Sequence, residues 1–499
     1  MGKQRRADTQ GRSVDRLLAD FGHELPKVTP PPPETKEPRL FAPQKNVLRP
    51  YCGWQPGKVP PEVYQMTSDQ AAIFWPFISA PGLKPHGAQM GVDYFSGGAF
   101  YCDPNGWVMD DDMPVSNPNV MVLGKPGMGK SATVKAFIIR MAAFGYRCLV
   151  VGDPKDEYEK LCRFFQVEPI AIGQGLANRI NPLDFGPLGQ GWEQLSVAEQ
   201  KRRCDIVFAR WLTLIRGMVG SQGVPFGPTE AKVVDSALKQ VTGFAQGASS
   251  LRVTTIPELW QCLNSPPQQM IEECRYSSSQ HFWDDTRALR DALAEMFQGA
   301  LAGLFDGPTT IDLDWMAPIA SLSLSRLEGL GDEATGMALL CLNSWARAMR
   351  ELSEPGDMRV VVRDECWRQF RLGIDAVKSF DADLRLSRRD GDIQMAIAHK
   401  PSDFLSVGDA GSQAVQIAKD MFHLADTKIL LGQDQEVANQ LGELLGINPM
   451  AQQLVTGWCR QEKGRALWIA GERYFKVKTI LHPVEEQLTW TQDALEAAA

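Results

Sequence analysis

Gly124-Lys125-Pro126-Gly127-Met128-Gly129-Lys130-Ser131 reads G-x-x-x-x-G-K-S, a spacing whose chemistry is the holding of phosphate. The glycines let successive backbone N–H groups turn inward around an anion, in conformations that a side chain would resist. A helix starting at Lys130 adds the positive end of its dipole. Lys130 reaches the β- and γ-phosphates of a nucleotide, and the Ser131 hydroxyl suits a magnesium ion. The cradle runs from Gly124 to Ala132, so these nine residues are the expected nucleotide contacts.

Such a loop needs a carboxylate at the end of a neighbouring strand. Residues 359–362 are a short, partly apolar run followed by Arg363, Asp364 and Glu365. Asp364 is expected in the magnesium shell, and Glu365 as the general base on the attacking water. A second acidic turn, Asp153-Pro154-Lys155-Asp156-Glu157, closes the next apolar run. Glu157 either faces the nucleotide or belongs to a capping turn, and Lys155 could neutralise phosphate. Arg385, Arg388 and Arg389 precede a strand at 393–398 that ends before His399. The arginines are either a bidentate stabiliser of a neighbouring subunit's γ-phosphate or a solvated helix face. His399 stands where a polar γ-phosphate sensor would sit, or is simply an exposed strand end.

The elements that must position these groups are legible around them. Apolar runs at 120–123 and 148–151 flank a helical stretch at 132–144, a strand–loop–helix–strand unit that predicts an α/β fold with a mainly parallel sheet. Helical periodicity dominates 187–310, with helices expected at 198–219, 228–245 and through 268–305. Strands return at 317–324, 359–362, 393–398 and 428–431, with a long helix at 333–352 and a hairpin at 466–480 around Gly471. Upstream, 51–116 is rich in Gly, Pro and aromatics and predicts a small β-rich region. Residues 1–50 hold four consecutive prolines, Pro30 to Pro33, and predict an extended tail. Val14, Leu17, Leu18 and Phe21 are spaced for a short helix, either a docking element or a frayed end.

Composition bounds the rest. A chain of 499 residues predicts roughly three compact units, and 44% apolar with 22% charged residues is a globular balance. No stretch approaches the ~20 apolar residues of a membrane span, and Met1 to Asp20 lacks an apolar signal core. The net charge of −8 argues against indiscriminate coating of nucleic acid, but leaves room for a local basic channel. Ten cysteines with no C-x-x-C pair predict reduced thiols and neither disulfides nor a zinc site.

Taken in order, GKPGMGKS, DPKDEYE, INPLD, VVVRDECW and SRRDGDIQMAIAHKPSDF resemble the conjugative type IV secretion ATPases of the VirB/TraC type, within the HerA/FtsK group of P-loop NTPases. The phrase NPNVMVLGKPGMGKS and the Asp-Glu-x-Trp at Asp364 to Trp367 are the discriminating pieces. The resemblance covers residues 91–486. It implies a RecA-like core split into 117–186 and 311–499, with 187–310 as its all-α insert. It also implies ATP and Mg2+ as ligands and hydrolysis energising pilus or channel assembly or substrate transfer. By position Glu157 falls on the acid of the second motif, and Arg388 or Arg389 on the basic motif before the sensor strand. The implied assembly is a homo-hexamer at the cytoplasmic face of the cell membrane, held by membrane-embedded conjugation channel proteins and acting on DNA or protein. A DNA-translocating ATPase of the coupling-protein or HerA type is the alternative. Two departures stand out. The sensor strand ends in Ala398-His399 where relatives carry Thr-Gln, and only about 116 residues precede the core.

Overall fold

Val120-Met121-Val122-Leu123 is buried at every position, as a strand covered on both faces must be, and forms strand β3 of the computed structural model. The structure describes residues 83–490 apart from 174, 245–246, 248–250, 299–300, 312–313, 315, 352–355, 371–373 and 406–411. The tail at 1–50 and the helix expected through Val14, Leu17, Leu18 and Phe21 lie outside these residues.

One sheet organises the molecule. Its strands are β1 (Ala88–Asp93), β2 (Ala99–Cys102), β3 (Val120–Leu123), β4 (Arg147–Asp153), β5 (Ile170–Ala171) and β6 (Ile319–Ser323). They are followed by β7 (Arg359–Arg363), β8 (Asp392–Ala398), β9 (Thr427–Leu431), β10 (Arg465–Ala470) and β11 (Arg473–Thr479). The spatial order is β2-β1-β11-β10-β9-β3-β8-β7-β4-β6-β5. Every pairing from β9 through to β5 is parallel. The remaining four strands add an antiparallel flank through β10, β11 and β1. The β-rich segment expected at 51–116 therefore does not stand apart where it is described. Its strands β1 and β2 extend the same sheet, because β1 pairs with β11.

The crossovers explain how distant segments meet. β3 leads through helix α1 (Lys130–Ala142) to β4, and the later strands β7 and β8 fill the gap between them. The register sets Leu123 beside Ala398, Arg363 beside Ala396 and Val150 beside Val362. The phosphate loop, His399, Asp364-Glu365 and the 153–157 turn thus all leave the sheet at its carboxyl edge, where ligands bind in parallel sheets.

Between β5 and β6 the chain is helical, with α2 (Val197–Ser221), α3 (Pro228–Val241), α4 (Ile256–Asn264) and α5 (Arg287–Gln298) as its longer elements. Trp211, Ile215, Val234, Leu259 and Leu293 share one buried cluster with Leu322 of β6 and with Leu339 and Trp345 of α6 (Asp332–Glu351). The continuous helical run expected at 268–305 is instead three helices, Gln268–Glu273, Ser279–Asp285 and α5. Arg275 turns the chain with a φ of 63°, and the Ser278 side chain restarts it by capping the His281 N–H.

The β10–β11 hairpin closes over Gly471, whose φ is 58° and where a Cβ would lie 1.7 Å from the Pro114 carbonyl oxygen. Gly471→Ala combines left-handed strain with a backbone clash and is expected to cost about 2–4 kcal/mol of stability. A denaturant midpoint measured against the native protein checks it. Among the described residues nine cysteines are free thiols, and no helix is long and apolar enough to cross a membrane.

Candidate functional site

The loop after β3 is shaped by glycines rather than by side chains. Gly127 and Gly129 have φ values of 81° and 97°, and a Cβ on Gly129 would come 2.9 Å from the Gly464 nitrogen. The Gly464 N–H donates to the Met128 carbonyl at 3.0 Å, so the turn before β10 braces the loop from outside. Lys125 bonds the Gly432 carbonyl through its N–H and the Asp434 carboxylate through Nζ at 2.9 Å, which turns its side chain outward.

Lys130 opens α1 and turns its Nζ back to the Gly124 carbonyl, 2.6 Å away, and to His399 Nδ1 at 2.9 Å. An ammonium only donates, so Nδ1 accepts and the ring proton sits on Nε2. Nε2 then donates to Glu365 Oε1 at 3.0 Å. The result is a chain from the phosphate-loop lysine through His399 to the second acid. Burial lowers the Lys130 pKa, opposed by the nearby Glu365 and Asp364 charges.

Glu365 is held from three sides. Besides His399, Lys155 Nζ bonds Oε1 and Trp367 Nε1 donates to Oε2 at 2.7 Å. Burial alone would raise its pKa, but these three donors together hold it well below the usual carboxylate range. Its φ of 48° is left-handed for a non-glycine residue, a strain retained where the surroundings fix the backbone. Asp364 behaves oppositely. Burial first, then the charges of Glu157 and Glu365, push its pKa up to about 7.

The 153–157 turn is organised by Asp153, not by Glu157. Asp153 accepts N–H bonds from Glu157 at 3.0 Å and Tyr158 at 2.7 Å, and burial raises its pKa to about 6. Asp153 thus ties down the backbone of the turn ahead of the helix, and Glu157 is free to project. Its Oε2 lies 3.9 Å from Lys135 Nζ, an ammonium buried on the inner face of α1 and 5.5 Å from the centre of the Tyr158 ring. Burial lowers the Lys135 pKa, with Glu157 the main opposing charge.

These groups converge on one cavity of about 560 Å³, lined by Pro126, Gly127, Gly129 to Thr133, Lys155, Glu157, Asp364, Glu365 and His399. Gly124, Lys125 and Met128 shape the loop without lining it. Helix α7 (Ile374–Asp390) carries Arg388 and Arg389 in its last turn. It leads into the amino end of β8, across the sheet from the cavity. There Arg388 meets the Ser116 carbonyl, 3.3 Å away, and Arg389 meets Asp390 at 2.8 Å. Within one protomer neither reaches the cavity.

The fold is the one seen in VirB4. The structure of VirB4 of Thermoanaerobacter pseudethanolicus matches with a TM-score of 0.63 at 20% sequence identity, over 82% of this chain and 100% of that one. The plasmid coupling protein TrwB, solved with ADP and Mg2+, matches with a TM-score of 0.52 at 14% identity, over 82% of this chain and 93% of that one. TrwB with the ATP analogue ADPNP gives 0.50 at 14% identity, over 80% and 90%. No protein-family model matches the sequence, and no curated protein matches it. The VirB4-like architecture is the α/β, P-loop core that the motifs predict. These likenesses establish the fold.

The remaining cavity walls carry no sequence motif. Lys463 and Gly464 come from the turn before β10, and Thr479, Leu481, Glu486, Thr489 and Trp490 from the end of β11 and helix α8 (Pro483–Thr489). Only the pairing of β11 with β10 and the packing of α8 on α1 bring them there. Among the described residues no three His, Cys, Asp or Glu side chains form a metal-holding group. A magnesium ion here would take one or two protein ligands and complete its octahedron with phosphate and water. The donor set fits that demand.

Proposed function

We propose that the protein is a magnesium-dependent ATP hydrolase that powers a conjugative or type IV secretion machine. The observation that carries this reading is the convergence of the phosphate loop, the two acids and His399 on one cavity at the carboxyl edge. The VirB4-like fold supports the secretion setting. In this reading the N–H groups of the loop and Lys130 bind the phosphates, while Ser131 and Asp364 hold the magnesium. Bound ATP supplies the phosphoanhydride to be cleaved. Glu365 polarises the attacking water from a carboxylate fixed by Lys155, His399 and Trp367. Glu157, backed by Lys135, is a second acid facing the phosphates.

The proposed assembly is a homo-hexameric ring in which Arg388 or Arg389 serves a neighbour's site, since neither reaches its own. The ring would sit at the cytoplasmic face of the cell membrane, attached through channel proteins and moving DNA or protein. ATP hydrolysis by the full chain is expected to need Mg2+ and to stop on its chelation. Absence of hydrolysis at saturating Mg2+ contradicts the reading.

The placement of His399 gives a sharper expectation. His399→Ala frees Lys130 and removes one donor from Glu365, and is expected to lower kcat about 10- to 100-fold with little change in nucleotide affinity. His399→Gln, which restores an amide donor, should recover part of that loss. Steady-state kinetics beside equilibrium nucleotide binding separate the two quantities.

A further inference from the structure

The phosphate loop and the acids line only part of the cavity. Leu481, Glu486, Thr489 and Trp490 line it as well. Trp490 is conspicuous there, a large apolar ring with 42% of its surface exposed. Leu481 packs against the buried cluster on this side of the sheet. Glu486 places a carboxylate among these apolar groups.

This wall is fixed relative to the phosphate cradle. Arg140 lies ten residues along α1 from Lys130, about 15 Å by the rise of an α-helix. Its Nε donates to Glu485 Oε1 at 2.8 Å, and Nη2 donates to the Ile480 carbonyl at 2.6 Å. Glu485 is buried in α8. At the far end of α8, Lys160 Nζ donates to the Trp490 carbonyl at 3.0 Å. One helix therefore carries both the lysine of the phosphate loop and the arginine that anchors this wall.

We propose that Trp490, with Leu481, forms the shelf on which the nucleotide base stacks, and that Glu486 accepts hydrogen bonds from the sugar hydroxyls. The inference rests on the reading of the cavity as a nucleotide site and names the part of the ligand that the phosphate loop cannot recognise. A flat heteroaromatic ring covers an exposed indole at full contact, whereas a further phosphate does not. The Glu486 carboxylate repels any extension of the polyphosphate in this direction and accepts from hydroxyl donors. The ligand class that satisfies both sets of groups is a nucleoside triphosphate, not an inorganic polyphosphate.

The test is equilibrium binding of MgATP and of magnesium tripolyphosphate to the full-length protein, native and variant. Base–aromatic stacking is worth about 5- to 150-fold in affinity, so Trp490→Ala is expected to weaken MgATP binding about tenfold or more. Tripolyphosphate affinity should move less than about twofold, because that ligand does not reach the shelf. Trp490→Phe keeps a ring and should stay near the native ATP affinity, which separates lost stacking from a disturbed fold. ATP binding by Trp490→Ala at native strength overturns the proposal. Equal losses for ATP and tripolyphosphate also overturn it, because Trp490 would then only support the wall. If the native protein binds neither ligand, the nucleotide reading of the cavity fails first, and the shelf with it.

Discussion

Lys130→Ala is expected to abolish measurable ATP hydrolysis, a loss on the order of 10³ or more in kcat/KM, equivalent to about 4 kcal/mol of transition-state stabilisation. The lysine does two things at once. In the proposed reading its ammonium meets the phosphates in a cavity where burial strengthens the interaction, and it fixes His399 through Nδ1. Alanine removes the charge and leaves the imidazole without its donor. Lys130→Arg keeps the charge but cannot place a compact ammonium between the Gly124 carbonyl and His399, so it should restore little. Phosphate release under saturating ATP and Mg2+ measures the loss, and circular dichroism of each variant checks that the fold is retained.

The second large effect belongs to Glu365. Glu365→Gln keeps the shape but puts an amide where three donors converge. Lys155, His399 and Trp367 all donate toward that carboxylate, so one of them must face the amide NH2, donor against donor. The charge proposed to polarise water is lost as well. Turnover is expected to fall about 10²- to 10³-fold while ATP is still bound and retained. Rapid filtration of nucleotide bound to the variant, beside a single-turnover rate, distinguishes trapped ATP from failed binding. Turnover equal to the native rate contradicts the assignment of Glu365.

The phosphate loop was legible because its code is local. Gly127, Gly129 and Lys130 stand within a few residues of one another, after a fully apolar strand, and line one cavity. Asp364 and Glu365 were legible for a related reason: they end an apolar run, and a parallel sheet sends such ends to one edge. What spacing could not convey was which strands lie side by side. The insertion of β7 and β8 between β3 and β4 decides that His399 stands between Lys130 and Glu365. A single histidine after a strand fits either a phosphate sensor or an exposed strand end, so its place stayed open in the sequence. His399 accepts from Lys130 and donates to Glu365, because imidazole offers one acceptor and one donor.

Other features were ambiguous because one local pattern fits two geometries. In the 153–157 turn Asp153 takes the backbone N–H groups, which leaves Glu157 to project beside Lys135. Arg388 and Arg389 were visible as a basic cluster, but residues at the end of a helix that feeds a parallel strand must lie at its amino edge. They are therefore remote from their own phosphate loop. Lys463 and Trp490 had no signal at all. They reach the cavity only through β-pairing and helix packing across hundreds of residues.

The most direct test of the account is phosphate release from ATP by the purified full-length protein, with Mg2+ and with chelator, for the native chain and Lys130→Ala in parallel. The account predicts release by the native protein only with Mg2+, and none above background for Lys130→Ala. Release that persists undiminished in Lys130→Ala, or a native protein that releases none, would contradict it.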